Sequence, residues 1–322
     1  MTHTSATALN AELRPGAPPA LRVATDDAAR WVAEQRDALR AFVAEHGALL
    51  VRGLGLRTAA QVEAVFRELG DLMDEVEAFA PRRRYAQGVY SATTWPPNQP
   101  MCVHHELSYA LEVPSLMLFA CLTAPTTGGA TPLADGWPVL EMLPAALVER
   151  CDREGWLLIR NYNDEIGASV VDVFGTDDRA AVERYCRANQ ITFEWREGGG
   201  LRTWQRRSAV VRHPISGRRC WFNQIAFLNP WTLADEVREY LVDMYGEDGL
   251  PFNTRFGNGD PIGPAIVQTI NDAYQANSVQ TPWQAGDLLL VDNIRTAHGR
   301  EPFEGPRDVI VALADPVRLT GR

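Results

Sequence analysis

Three short apolar runs lie toward opposite ends of the chain, and they limit the fold more than any other feature. Ala48-Leu-Leu-Val-Arg-Gly53 is bounded by glycines near the start, and residues 287–291 and 308–314 form two further runs near the end. Apolar runs of this length, closed by turn residues, read as buried strands. Strand-like pieces at 101–107 and 115–122 add to them. Between them, the pattern changes from 138 to about 275. Amphipathic helices are expected at 138–152, 178–189 and 233–244, with a further one from Asp260 to about Tyr274. For that last helix, Asp260 is expected as N-cap and Pro261 as its first residue. Strand-like pieces near 156–162, 210–213 and 220–227 interrupt these helices. Strands toward both ends around a helix-bearing stretch predict one β-domain whose sheets are completed by the C-terminal strands. The stretch 138–275 is then an insert lying over one mouth as a lid.

Two more helices are expected before the first motif, over 26–45 and over 58–73, the latter with Thr58 as N-cap. Residues 1–20, ending in Pro15-Gly-Ala-Pro-Pro19, read as a mobile arm. No internal repeat or low-complexity tract divides the chain, so residues 1–322 are expected to form a single domain.

Composition removes several chemistries. The chain has 31 basic and 41 acidic residues for a net charge of −10, and every basic residue is Arg. Without lysine, Schiff-base, pyridoxal-phosphate, Ser–Lys and kinase mechanisms are excluded. An acidic balance argues against nucleic acid and against anionic membrane surfaces. The first 20 residues carry no apolar leader, and no run reaches the roughly 18 apolar residues of a membrane span. Five scattered cysteines without a CxxC fit reduced thiols, so a cytoplasmic protein is expected.

Six histidines are present, and two of them carry the chemistry. His104 and Glu106 flank one residue in the expected strand 101–107, where alternation would turn both to one face. His105 would then point away as a packing residue. Cys102 would share the ligand face but reads as a packing residue too. His298 follows the apolar run 288–291. A pair on one strand plus a distant His is the two-His-one-carboxylate set that holds Fe(II) and leaves coordination positions open.

The surrounding text extends this pattern. Val103-His-His-Glu-Leu-Ser-Tyr109 is followed by Pro125-Thr-Thr-Gly-Gly-Ala-Thr-Pro-Leu-Ala-Asp135, by Asp292-Asn293, and by His298-Gly-Arg-Glu-Pro-Phe-Glu-Gly-Pro-Arg307. In this order, with Trp221-Phe-Asn-Gln224 and Trp283-Gln-Ala-Gly-Asp287, the chain resembles the TauD/TfdA superfamily of Fe(II)- and 2-oxoglutarate-dependent oxygenases. The resemblance covers roughly residues 45–315 and is strongest to the SyrP-like and clavaminate-synthase-like branch, where HxE replaces HxD. It implies a mainly β fold with helices, a double-stranded β-helix (jelly roll) with a helical insert forming a lid. It implies Fe(II) as cofactor, with 2-oxoglutarate and O2 as co-substrates, and release of succinate and CO2. It also implies iron ligation by His104, Glu106 and His298. Arg307 would clamp the far carboxylate of 2-oxoglutarate, as a guanidinium is suited to do. Thr131 would donate its hydroxyl to the same carboxylate.

The intact carboxylate at 106 excludes the family's halogenase type. The substrate arginine of taurine-type members falls at Val311, so a sulfonate substrate is not expected. A small polar, amino-acid-like substrate, free or carrier-tethered, is implied instead, in natural-product biosynthesis. Tyr109, Arg160, Arg202, Asn223, Arg295 and the loop 93–99 are the candidates to contact it. Desaturation or cyclisation would use the same residues. A cupin-like metal isomerase or hydrolase would use the triad but leave Arg307 and Thr131 unemployed, and a non-catalytic binding module would not need the ligands intact. His213-Pro214 reads as a hairpin turn, Gly198-Gly-Gly200 as a flexible lid connection, and Arg82-Arg-Arg84 as a solvated turn.

Overall fold

Alternation along the strand Glu112–Thr123 sets the layers. Met117, Phe119 and Cys121 face one cluster of buried side chains, whereas Leu116, Leu118 and Ala120 face another. The strands beside it divide in the same way. Leu289 and Val291 face the first cluster and Leu288 and Leu290 the second; Val309, Val311 and Leu313 oppose Ile310, Ala312 and Ala314. A sheet apolar on both faces must be covered on both. The helices Ala28–His46 and Ala59–Leu69 cover one side with Val32, Leu39, Val62 and Phe66, and a second sheet covers the other.

The computed structural model describes residues 9–75, 77, 79, 82–163 and 165–319. Its main sheet runs in the order Ala20–Arg22, Ala48–Arg52, Leu288–Asp292, Glu112–Thr123, Asp308–Arg318, Val89–Ser91, Arg84–Ala86, with Leu72–Met73 also on Asp308–Arg318. The facing sheet has the order Ser278–Val279, Leu133–Asp135, Thr296–Arg300, Met101–His104. The fold is the expected jelly roll. The apolar runs from both ends of the chain do meet: Ala48–Arg52 pairs antiparallel with Leu288–Asp292.

The insert forms its own four-stranded sheet, ordered Ile191–Trp195, Leu201–Arg207, Trp156–Tyr162, Phe252–Phe256. Several expected boundaries are corrected. The helix expected at 138–152 is two, Gly136–Met142 and Ala145–Glu154, because Pro144 cannot donate the bond that would continue the first. The last insert helix begins at Pro264 behind Gly263, not at Pro261; Asp260 instead closes a turn with Asn258, and Pro261 bridges back to Arg255. The strand expected at 220–227 covers only Arg219–Trp221. Gly198-Gly-Gly200 is the turn of a hairpin within the insert sheet, closed by the Arg196 N–H on the Gly200 carbonyl at 2.7 Å. That turn replaces the flexible connection expected there.

The N-terminal arm is also corrected from residue 9 onward. Glu12 pairs with Ala20, and Ala20–Arg22 lies parallel to Ala48–Arg52, so the backbone here is fastened to the main sheet. Residues 1–8 lie outside the described residues. Among the described residues, no helix is long and apolar enough to cross a membrane.

Candidate active site

His104 ends the strand Met101–His104, and His298 stands directly opposite it on Thr296–Arg300. Cross-strand partners in an antiparallel pair approach closely, and the two rings lie 4.8 Å apart between centroids. Gly299 permits that approach. A Cβ there would sit 2.7 Å from the Met101 carbonyl oxygen, inside contact distance.

Glu106 reaches the same point by another route than expected. The strand stops at His104, and Glu106 opens the turn that follows, in which Leu107 is held at φ +52°. Residues other than glycine seldom adopt that conformation. Asn293 fixes it: its Oδ1 accepts from the Glu106 N–H at 2.8 Å, and its Nδ2 donates to the Glu106 carbonyl at 3.0 Å. The His105 Nδ1 lies 2.7 Å from the Asn293 carbonyl oxygen, so His105 is the packing residue it was expected to be. Burial pushes it down to about 4.

The ligating atoms of His104, Glu106 and His298 all lie within 4.8 Å of one another, and the three are buried. Among the described residues they are the group placed to hold a metal ion. Electrostatics suits them to it. The His104 Nδ1 is bonded to the Cys102 carbonyl at 2.8 Å, which leaves Nε2 available. Burial, and then His298, push His104 down to about 3, so it offers a lone pair at neutral pH. Burial alone would raise the Glu106 carboxyl. The guanidinium of Arg82 with the two histidines overrides this and holds it well below the usual carboxylate range. Two imidazoles and a carboxylate are a fitting donor set for a divalent first-row metal.

Arg82 is the main correction to the sequence reading. It does not sit on a solvated turn; only 7% of its side chain is exposed. Its Nη2 lies 3.2 Å from Glu106 Oε2, and its Nε lies 2.9 Å from Thr93 Oγ1 and 3.4 Å from Glu75. Burial raises Glu75 to about 7, with Arg82 opposing.

On the other side of the histidines, Thr131, Arg300 and Arg307 line one cavity with His104 and His298. Arg307 precedes the last strand rather than lying on it, and its Nε donates to the Gly129 carbonyl at 3.1 Å. Burial, and then Arg300, push its guanidinium down to about 10, so it is charged at neutral pH. Arg300 donates to the carbonyls of Trp95, Pro96 and Gln99, which ties the loop 93–99 to the cavity rim. The Thr131 hydroxyl accepts from Trp283 Nε1 at 3.2 Å, and its own proton is free to be donated.

The remaining expected contacts divide. Tyr109 lines a chamber beside Glu106, together with Glu75, Phe79, Arg82, Gln224 and Phe227. Arg160 is buried behind it and donates to the Glu77 carbonyl, which also accepts from Tyr109. Arg202, Asn223 and Arg295 are engaged elsewhere. Arg202 pairs with Asp248 at 2.9 Å. Asn223 donates to the Ala209 carbonyl and caps Ile225 in the hairpin region. Arg295 pairs with Asp135 and lies over the Trp137 ring at 3.8 Å. His213 does occupy a hairpin turn, and its Nε2 also meets Asp292 at 2.7 Å.

Comparison with known proteins now places the chain. The model of the family described as "Taurine catabolism dioxygenase TauD, TfdA family" matches residues 10–313. The chain belongs to the TauD/TfdA family. As a member it is a non-haem iron oxygenase that uses 2-oxoglutarate and O2. It is 36% identical over 277 residues to the dapdiamide synthesis protein DdaC of Enterobacter agglomerans, covering 86% of this chain and 84% of that one. A clavaminate synthase-like protein of Arabidopsis thaliana is 29% identical over 292 residues, with 87% and 84% covered. Among solved structures, PvcB, described as an Fe, alpha-ketoglutarate dependent oxygenase from an isonitrile synthetic pathway, matches with a TM-score of 0.55 at 16% identity over 95% of this chain and 91% of that one. A taurine dioxygenase from Burkholderia xenovorans matches at 0.54 and 17% identity, over 97% and 92%. These last two likenesses speak for the fold.

Proposed function

We propose that this TauD/TfdA enzyme hydroxylates an unactivated C–H bond of a small polar, amino-acid-like molecule. His104, Glu106 and His298 hold the iron, and Arg307 with Thr131 grips the far carboxylate of 2-oxoglutarate. One observation carries this assignment: the three buried ligand groups converge within 4.8 Å in a cavity that Arg307 also lines, its Nε on the Gly129 carbonyl and not on a carboxylate. A half-buried guanidinium facing a cavity suits an anionic ligand. When bound, iron, 2-oxoglutarate and O2 supply an oxidant able to remove hydrogen from a C–H bond, with succinate and CO2 released. The protein's part is to orient and exclude. Phe119, Val309 and Val311 form an apolar wall of the cavity, and Phe227 stacks on His104 at 4.3 Å.

The name of the DdaC relative ties that protein to dapdiamide synthesis, which supports a biosynthetic role for this one. Val311 at the taurine-type arginine position supports a substrate other than a sulfonate. Desaturation or ring closure would draw on the same residues, and the mass of the product separates them. The test is anaerobic addition of Fe(II) and 2-oxoglutarate, followed by air and candidate amino acids. A weak visible charge-transfer band, then 2-oxoglutarate-dependent succinate and a product 16 mass units heavier, are expected. Absence of the heavier product across free and carrier-bound amino acids would refute hydroxylation of this class.

A further inference from the structure

The chamber beside Glu106 contains two buried polar atoms that the protein leaves without a partner. One is Nη1 of Arg82 and the other Oε1 of Gln224. A guanidinium has five N–H donors. Those of Arg82 that are engaged face Thr93, Glu75 and Glu106, while Nη1 has none of them. Gln224 is fixed in its orientation because its Nε2 donates to the His105 carbonyl at 3.0 Å, which only an N–H can do. Its Oε1 is therefore an acceptor, and it is buried on a side chain only 3% exposed. Buried polar atoms are nearly always bonded, whether to protein, to water or to a ligand. Glu75 adds a second acceptor in the same chamber, 8% exposed.

The set is one cationic donor and two acceptors, walled by Phe79 and Phe227, whose rings lie 5.2 Å apart. We infer that this chamber reads the head group of a free amino acid, with Arg82 taking the carboxylate and Gln224 and Glu75 the ammonium. The inference rests on the amino-acid-like reading of the substrate and sharpens it. A substrate whose carboxylate is masked as a thioester or amide presents no anion to Arg82, so the free acid is selected over a carrier-bound form. A zwitterion also adds no net charge to a chamber that already holds Arg82, Glu75 and Glu106. Because Arg82 contacts Glu106 as well, it links head-group binding to the iron ligand.

The full chain loaded with Mn(II) and 2-oxoglutarate under nitrogen can be titrated by calorimetry. The probes are a panel of L-amino acids, their carboxamides, and their des-amino analogues. Free acids are expected to bind, and the matched carboxamide to bind about 10- to 100-fold more weakly, the range for a hydrogen bond to a charged group. Arg82→Met should lose that preference for acid over amide, read as a ratio of the two affinities so that any change in metal binding through Glu106 cancels, and Arg82→Lys should restore part of it. Gln224→Met should lose the preference for the amino acid over its des-amino analogue, a change that mere misfolding would not confine to one comparison. Carboxamides binding as well as acids, an unchanged preference in Arg82→Met, or no binding by any acid while 2-oxoglutarate binds normally would each overturn the inference. Binding is separate from turnover. An amino acid that binds as expected but yields no heavier product with Fe(II) and O2 would refute hydroxylation and leave the head-group assignment standing.

Discussion

The side-chain amide of Asn293 closes two hydrogen bonds on the backbone of Glu106, donating to its carbonyl and accepting from its N–H. Asn293 also donates to the Pro114 carbonyl at 2.8 Å, so it ties the turn bearing Glu106 to the start of the central strand. The neighbouring Asp292 caps the N–H groups of Ile294 and Arg295 and meets His213. Two adjacent residues thus divide the work: one orders its own turn, the other holds a ligand-bearing turn from outside. Asn293→Ala should weaken Mn(II) or Fe(II) binding by about 10- to 100-fold, the usual effect of losing a group that orients a ligand. Asn293→Asp should do little better, because a carboxylate cannot donate to the Glu106 carbonyl. Metal titration by electron paramagnetic resonance reads both.

Arg307 has a simpler task. It lines the cavity beside Thr131, and unlike Arg300 its hydrogen bond runs to the Gly129 carbonyl and not to the loop 93–99. Arg307→Met should raise the KM for 2-oxoglutarate by about 100-fold or remove binding, in line with the loss of a charge-assisted contact at a desolvated site. Arg307→Lys should recover only part, since an ammonium cannot match a carboxylate bidentately. Metal affinity should hold in both, because the Arg307 contacts that anchor it run to Gly129 and not to the ligands.

Much of this site was legible in the sequence, and the reasons for the failures are physical. His104, Glu106 and His298 are constrained by chemistry, so spacing and motif found them. Glu106 arrives by another route, however: strand alternation is expected, but the strand ends at His104 and Glu106 stands in the turn beyond it. Arg82 was missed because an arginine run looks solvated until the fold buries one member of it. Arg202 and Arg295 failed in the opposite sense, since local sequence cannot show that Asp248 and Asp135 will pair with them. The broken helix at Pro144 was readable from proline alone. The shift from Pro261 to Pro264 was not, because either proline could open a helix.

Acid should destabilise the metal-free protein. His104 and His105 titrate near 3 and 4 in the fold against an ordinary 6.5. Between those values and 6.5 the unfolded chain holds more protons, so stability falls as pH drops through that window. Glu75 opposes this. Its folded value near 7 lies above the ordinary 4.5, so its contribution is present below 4.5 and is lost as pH rises toward 7. Two histidines against one carboxyl leave a net loss toward acid, on the order of 1 kcal/mol per pH unit between 6 and 5. Glu75→Gln should steepen that slope. Denaturant unfolding at pH 5, 6 and 7 checks both, and a flat wild-type profile would contradict the burial of the histidines.

Glu77 is the buried anchor between the chamber and the insert sheet. It is 2% exposed at φ +54°, its carboxylate accepts from Tyr185 at 2.8 Å and Gln205 at 2.5 Å, and its carbonyl accepts from Tyr109 and Arg160. Glu77→Ala takes the acceptor from the half-buried Tyr185 hydroxyl and from the buried Gln205 amide and should cost about 2–3 kcal/mol. The Arg202→Ala change breaks a pair whose acid is 78% exposed, and it should cost well under 1 kcal/mol. Thermal unfolding of the two variants gives the contrast.

Gly299→Ala tests whether the spacing of the two strands makes the metal site. The added Cβ would meet the Met101 carbonyl oxygen at 2.7 Å and the Val103 Cα at 3.3 Å, both on the strand that ends in His104. Neither contact is a flexible side-chain tip, so the strand itself must move away. Overpacking of this kind costs roughly 1–3 kcal/mol, which a fold with this much buried apolar surface can absorb. The ligand set is less tolerant. His104 and His298 face each other across this strand pair, and a shift of half an ångström exceeds what a metal site accepts. The variant should therefore fold with a modestly lowered midpoint and bind Co(II) with a weakened or altered visible spectrum. A folded Gly299→Ala protein with an unchanged Co(II) spectrum would show that the site adjusts without this glycine.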